Sequence, residues 1–164
     1  MDFRVLTKEY GRRIYWHIRR IVVSHDDAED ALQETFVKIY TKLDTFRGEN
    51  DILAWIYRIA TNEALQVLRR RTKIFQSIDS LSDTLSQMLD GETDYPSNSP
   101  EVLLQKALLK LPHTQRIVFN MRYFDELTYE QIATATGKSV ATLKTNYHYA
   151  VEKIKQYITD KTIL

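Results

Sequence analysis

The feature that most restricts what this chain can fold into is the spacing of its apolar residues. From Val5 to about Arg71 they recur every three or four positions: Ile14, Ile18, Ile21 and Val22; then Ala28, Leu32, Phe36, Ile39 and Tyr40; then Ile52, Trp55, Ile56, Ile59, Ala60, Ala64, Leu65 and Leu68. A period near 3.6 gathers such residues on one face of a helix, whereas a half-buried strand needs alternation. Alternation is absent, so three amphipathic helices are predicted and a sheet has nothing to build on. The breaks fall at Ser24 to Asp27, where Ser and Asp suit an N-cap, and at Thr45 to Asp51, where Gly48 and Asn50 suit a turn.

The pattern stops near residue 75. Residues 76–100, QSIDSLSDTLSQMLDGETDYPSNSP, are rich in Ser, Asp, Thr and Pro with sparse Leu and Ile, which reads as a flexible linker. Helical spacing resumes after Ser99-Pro100-Glu101, a capping Ser followed by Pro at the first helical position, and continues through Leu103, Leu104, Ala107, Leu108 and Leu111. Pro112 restarts the chain into a second helix with Ile117, Val118 and Met121. Thr128-Tyr129-Glu130-Gln131 forms a capping box before a short third helix that Gly137 ends. Ser139 caps a fourth, carrying Val140, Leu143, Tyr147, Ala150, Val151, Ile154 and Ile158. The expected fold class is all-α: two small helical domains, 1–75 and 101–164, joined by an acidic linker, 76–100.

Charge follows the same division. Residues 1–75 hold 14 Lys+Arg against 11 Asp+Glu (+3), residues 76–100 hold none against 5 (−5), and residues 101–164 hold 9 against 6 (+3). Two basic ends around an acidic middle suit two modules that touch phosphate and a joining segment that does not. The chain has no cysteine, which removes disulfides, thiolate metal sites and a Cys nucleophile and fits a reducing compartment. Met1 to Tyr10 carries Asp2, Arg4, Lys8 and Glu9 where a leader needs an apolar core, and no apolar run approaches the ~20 residues of a membrane span. A cytoplasmic protein without direct membrane insertion is expected.

The C-terminal pair, a capped short helix, a turn at Gly137 and a longer helix, reads as helix-turn-helix, with an ordinary αα-corner as the plain alternative. Such a unit offers the N-terminus of its second helix to the major groove. Lys138, Thr142, Lys144, Thr145 and Asn146 open that helix, and Lys144, Thr145 and His148 are the best base-edge candidates. Trp55, Tyr57, Arg58, Asn62, Gln66 and the Arg69-Arg70-Arg71 cluster share one segment of the third predicted helix, a cationic and aromatic mixture of the kind that holds single-stranded DNA. Trp55 and Ile59 also fit simply as core. The acidic run Asp26, Asp27, Glu29, Asp30 and Glu34 suits a helix N-terminus. Asp30 and Glu34 lie one turn apart, but His17, His25, His113 and His148 lack ligand spacing, so no metal or cofactor is expected.

The stretch LLKLPHTQRIVFNMRYFDELTYEQIATATGKSVATLKTNYHYAVEKI resembles the fourth domain of bacterial sigma factors. DAEDALQETFVKIYTKLDTFRGENDILAWIYRIATNEALQVLRRR resembles the second. The two occur in the family's order, cover most of the chain outside the linker and leave no space for the first and third domains, as in the extracytoplasmic-function group. The resemblance implies a non-enzymatic factor that binds RNA polymerase core and directs initiation at promoters, with core polymerase and promoter DNA as partners and an anti-sigma factor as a further candidate.

Carried over residue by residue, Asp30, Gln33, Glu34 and Val37 match the face that grips the clamp coiled coil of the polymerase. Arg47, Gly48, Glu49, Asn50, Trp55, Arg58, Asn62, Gln66, Arg69, Arg70 and Arg71 match the surface that reads and melts the minus-ten element, with the loop from Arg47 to Leu53 and Asn62 at the pocket for a flipped base. Lys138, Ser139, Thr142, Lys144, Thr145, Asn146 and His148 match the minus-thirty-five reader. The recognition helix departs from the common pattern at Asn146 and Tyr149, where cations are frequent, so its phosphate attraction is weaker. Stretched to roughly 80 Å, the linker spans DNA sites one to two turns apart. Its Asp79, Asp83, Asp90, Glu92 and Asp94 suit either phosphate mimicry within the polymerase or a plain solubilising tether. The rival readings are a stand-alone helix-turn-helix regulator, which has no need of the arginine-rich segment, and an all-α enzyme, which lacks a catalytic constellation.

Overall fold

The computed structural model describes residues 2–47, 51–74 and 99–162, together with residues 89 and 91 and without the side chains of residues 71–74. Among the described residues every regular element is helical. Helix α1 spans Phe3–Val22 behind an Asp2 N-cap whose carboxylate accepts from the Arg4 amide. It stops at Val23, a non-glycine residue with φ of 73°, whose amide donates to the Arg19 carbonyl at 2.8 Å. A β-branched residue in that region is strained. The strain is held in place by the Arg19 Nε, which donates to the Val23 carbonyl at 2.6 Å. Helix α2, His25–Lys42, then begins at once with the Ser24 hydroxyl accepting from the Asp27 amide. A 3-10 turn, Leu43–Thr45, closes it. Helix α3, Ile52–Ile74, starts on Asp51, whose carboxylate accepts from the Leu53 and Ala54 amides at 2.9 and 3.2 Å.

The three helices pack pairwise. Ile14, Ile18 and Ile21 of α1 meet Ala28 and Ile39 of α2 and Ile56, Ala60, Ala64 and Leu68 of α3 in one buried cluster. Each large aliphatic side chain taken fully out of water stabilises by about 1.5–3 kcal/mol, so this stripe pairing is the main drive for the N-terminal unit.

The C-terminal unit is built from four helices. Helix α4, Pro100–Leu109, has Ser99 as its cap and Pro at its start. Helix α5, His113–Phe119, widens into a π turn at Asn120–Phe124. Helix α6, Tyr129–Thr136, opens on a complete capping box: the Thr128 hydroxyl accepts from the Gln131 amide at 3.1 Å and the Gln131 side chain accepts from the Thr128 amide at 2.9 Å. Gly137, with φ of 77°, turns the chain into α7, Val140–Thr162. Ala107, Leu108, Leu111, Phe119, Ala150 and Ile154 form a core belonging to this unit alone.

The two units are not separate beads on a tether. Helix α6 packs on α3, and Leu109, Ile117, Val118, Met121, Leu127, Ile132, Ala135 and Leu143 belong to the same apolar cluster as the first three helices. The sequence reading of two tethered modules did not anticipate this contact. Nearly all of the expected linker lies outside the described residues, as do Gly48, Glu49 and Asn50 of the expected base pocket.

Candidate polymerase and nucleic-acid interfaces

The acidic residues of α2 divide by role. Asp26 and Asp27 sit in the first turn, where the helix dipole favours them. Asp30, Gln33, Glu34 and Val37 follow at i, i+3, i+4 and i+7, and all four are exposed while Ala28, Ala31, Thr35 and Ile39 fill the opposite face. Val37 is 58% exposed and Tyr40, one turn further, 69%, so an apolar end continues the carboxylate and amide stripe. The apolar spacing places Tyr40 in the buried stripe of this helix. Its ring instead stands edge-on to Phe3, centroids 5.3 Å apart, and faces water.

Along α3, Arg58, Asn62, Gln66, Arg69 and Arg70 are exposed. Their spacing keeps Arg58, Asn62, Gln66 and Arg69 on one side of the helix, since positions three and four apart are neighbours. Trp55 is half-buried, its ring tilted against Phe46 at 5.1 Å, so it packs partly on the core. Tyr57, grouped with these residues in the sequence reading, is fully buried and so unavailable to a base. Arg47 is exposed at the start of the loop, whereas the Arg71 side chain lies outside the described residues.

In the helix-turn-helix, Ser139, Thr142, Lys144, Thr145 and His148 are exposed, and Lys138 and Asn146 half-buried. The Ser139 hydroxyl accepts from the Thr142 amide at 3.2 Å and contacts the Thr142 hydroxyl at 2.9 Å, which caps the recognition helix. The Lys144 ammonium sits 5.7 Å from the centre of the Tyr129 ring. That contact steadies its stem without neutralising its charge.

A polar cluster between the units had no signal in the sequence. Asp125, in the turn between α5 and α6, is almost fully buried, and its Oδ2 lies 3.4 Å from Nδ1 of the fully buried His17. The other ring nitrogen of His17 shares a 2.8 Å hydrogen bond with the Thr61 hydroxyl of α3. Arg13 donates to the Asp125 backbone carbonyl at 2.7 Å, and Arg20 approaches the carboxylate at 3.9 Å while stacking over Phe124 at 4.3 Å. Burial pushes the Arg20 guanidinium below its ordinary value, and Asp125 opposes that shift. At the opposite edge of the α3–α6 contact, Gln131 donates to Asp51 at 2.9 Å. Between α3 and the C-terminal unit lies a cavity of about 210 Å³, walled by Arg58, Asn62 and Leu65 on one side and by His113, Thr136 and Lys138 on the other.

Comparison with known proteins gives the family of the chain. Residues 6–74 match Sigma-70 region 2, and residues 101–154 match Sigma-70, region 4. RNA polymerase sigma factor YlaC of Bacillus subtilis is 32% identical over 156 residues, 94% of this chain and 90% of that one. RNA polymerase sigma factor SigV of the same organism is 30% identical over 142 residues, 87% and 82%. ECF RNA polymerase sigma factor SigW, also from that bacterium, is 29% identical over 92% and 86%. The sigma factor RpoE from Bartonella quintana, solved in complex with the anti-sigma factor NepR, superposes with a TM-score of 0.75 at 23% identity, covering 96% of this chain and 97% of that one. CnrH, solved in complex with the cytosolic domain of CnrY, gives 0.72 at 21% identity, covering 96% and 88%. An all-helical fold that carries both regions in order, with relatives aligned over most of both lengths, has one reading: the chain belongs to the RNA polymerase sigma factors of the extracytoplasmic-function type, which direct the polymerase to initiate at promoters.

Proposed function

We propose the following division of labour for this sigma factor. Residues 1–75 bind polymerase core and open the minus-ten element, and residues 101–164 read the minus-thirty-five element. Asp30, Gln33, Glu34 and Val37 dock on a basic helical surface of the core. Arg58, Asn62, Gln66 and Trp55, with the loop that begins at Arg47, receive the nontemplate strand, while Arg69 and Arg70 follow its phosphates. Ser139, Thr142, Lys144, Thr145 and His148 approach the upstream element, flanked by Lys138 and Asn146.

The observation that carries the reading is the α2 stripe: four consecutive neighbours on one helix face, all exposed, on a helix whose opposite face is buried. Nothing in the fold requires those side chains, so a partner is their best account. The protein works in the cytoplasm, where polymerase and promoter are. Among the described residues no helix is long and apolar enough to cross a membrane. An anti-sigma factor is a further proposed partner, supported by the likeness to RpoE bound to NepR.

Charge reversal tests the docking face. Glu34→Lys should keep its melting temperature, since the residue is exposed, and bind core at least about tenfold more weakly, roughly 1.4 kcal/mol. A folded Glu34→Lys variant with parental core affinity, measured by titration of labelled protein with core, removes the assignment.

A further inference from the structure

The cavity beside α3 has a one-sided balance of charge. Its volume, about 210 Å³, holds several waters at about 30 Å³ each and falls short of the roughly 300–1,000 Å³ of a drug-sized site. Arg58 lines it from α3 and Lys138 from the turn into α7, and no Asp or Glu stands among its described lining residues. Neither cation makes an ion pair among the described residues. A third positive charge stands behind the wall. Arg116, one turn along α5 from the lining residue His113, is 1% exposed with its Nε and Nη2 buried and unpartnered. Burial first, and then Arg116, hold the His113 imidazole below its ordinary value, so at neutral pH the ring is uncharged and offers one donor and one acceptor. Positive charge around a concave, partly apolar space without a counter-ion focuses a potential that favours an anion.

The other lining residues indicate which anion. Asn62 and Thr114 are exposed and bring an amide and a hydroxyl able to donate. The Thr61 and Thr136 hydroxyls are already engaged, with His17 at 2.8 Å and with the Ile132 carbonyl at 2.8 Å. Leu65, Ile117 and Ala135 supply an apolar side. A carboxylate brings a single charge. A phosphate monoester carries about −1.5 to −2 at neutral pH on three acceptor oxygens, which suits a guanidinium, an ammonium and two neutral donors together. Free phosphate has no carbon to set against the apolar side.

We propose that this cavity binds a small phosphate monoester, of the size of a sugar phosphate. Arg58 and Lys138 grip the phosphate, Asn62 and Thr114 donate to its oxygens, and the carbon body lies against Leu65, Ile117 and Ala135 with a hydroxyl on His113. Because Arg58 and Asn62 also belong to the face assigned to the nontemplate strand, ligand and strand compete for the same side chains. The competition rests on that assignment under Proposed function; the binding does not.

Titration of the full-length chain with ribose 5-phosphate at constant ionic strength, followed by calorimetry and by melting temperature, tests the site. Inorganic phosphate and ribose serve as the head and the body alone. Ribose 5-phosphate should bind with a Kd below about 1 mM and at least about tenfold more tightly than either. Arg58→Met and Lys138→Met, which keep an aliphatic stem, should each weaken it about tenfold or more, as expected when a charged hydrogen-bond partner is lost. Lys155→Met, at an exposed lysine of α7 outside the cavity, should bind like the parent. Should Lys138→Met fail to fold, Arg58→Met, at an exposed position, carries the test. Absence of both saturable heat and a rise in melting temperature, equal affinity for inorganic phosphate, or parental affinity in the folded cavity variants overturns the site. Competition has its own readout. Parent chain preincubated with ribose 5-phosphate should form open complexes more slowly once core and promoter are added. That slowing, taken relative to each chain's own rate without ligand, should vanish in Lys138→Met. Binding without slowing overturns the competition and leaves the site standing.

Discussion

Tyr57 lies fully buried beside His17, ring centroids 4.8 Å apart, with the Arg13 guanidinium 5.9 Å from its ring centre. Burial, and after it the nearby Asp125 carboxylate, pushes its phenol well above the ordinary value of 10.0. A phenol that keeps its proton in the fold while the unfolded chain loses its own makes stability fall as pH rises through that ordinary value. Below pH 10.0 its contribution is fully present. Tyr57→Phe deletes a hydroxyl that lies near Asp125 and Arg13 without good hydrogen-bond geometry to either, so its stability near neutral pH should match the parent within about 1 kcal/mol. Above pH 10.0 the parent should lose melting temperature faster than the variant, and parallel curves would show that the phenol does not titrate across unfolding. Arg116 is the other buried oddity: 1% exposed, with Nε and Nη2 unpartnered, its guanidinium is driven by burial down to about 10. It also helps lower His113, after burial itself.

Helix α6 has eight residues, too short to be stable alone, so its ends and its packing must hold it. Its capping box and the left-handed Gly137 satisfy those ends from within the local sequence, and Ile132 and Ala135 bury its inner face. Removing the cap with Thr128→Ala should cost about 1 kcal/mol, seen as a melting temperature lower by several degrees. The recognition surface should behave in the opposite way. Combined alanine substitution of the exposed Lys144, Thr145 and His148 should leave the melting temperature unchanged and alter which upstream promoter elements are selected from a randomised library. Unaltered selection would assign upstream reading to other residues of α7.

Because one apolar cluster draws on α1, α2 and α3 as well as on Leu109, Met121, Leu127 and Ile132, heat should unfold the isolated chain in one cooperative transition, with calorimetric and van't Hoff enthalpies in agreement. Two resolved transitions would mean that the halves melt independently and that their contact adds little. The all-helical class was legible in the chain because apolar spacing, capping Ser and Thr, Pro100 and Gly137 are local signals, and local signals set where helices start, stop and turn. Exposure of the Asp30, Gln33, Glu34 and Val37 stripe was legible for the same reason: helical periodicity sorts one face from the other. Tyr40 and Tyr57 show where that sorting fails, since an aromatic at the edge of a stripe is buried or exposed according to what crosses over it. The docking of the two units was not legible at all. Asp125 reads as an ordinary turn acid, and the arginine that holds its carbonyl stands 112 positions earlier. The sequence by itself determined the helices, their caps and their outward faces, because those depend on neighbours within a turn or two. Only the tertiary structure decided that the C-terminal unit would rest on α3 with a carboxylate buried among His17, Arg13 and Arg20, because burial and charge pairing depend on which distant surfaces meet.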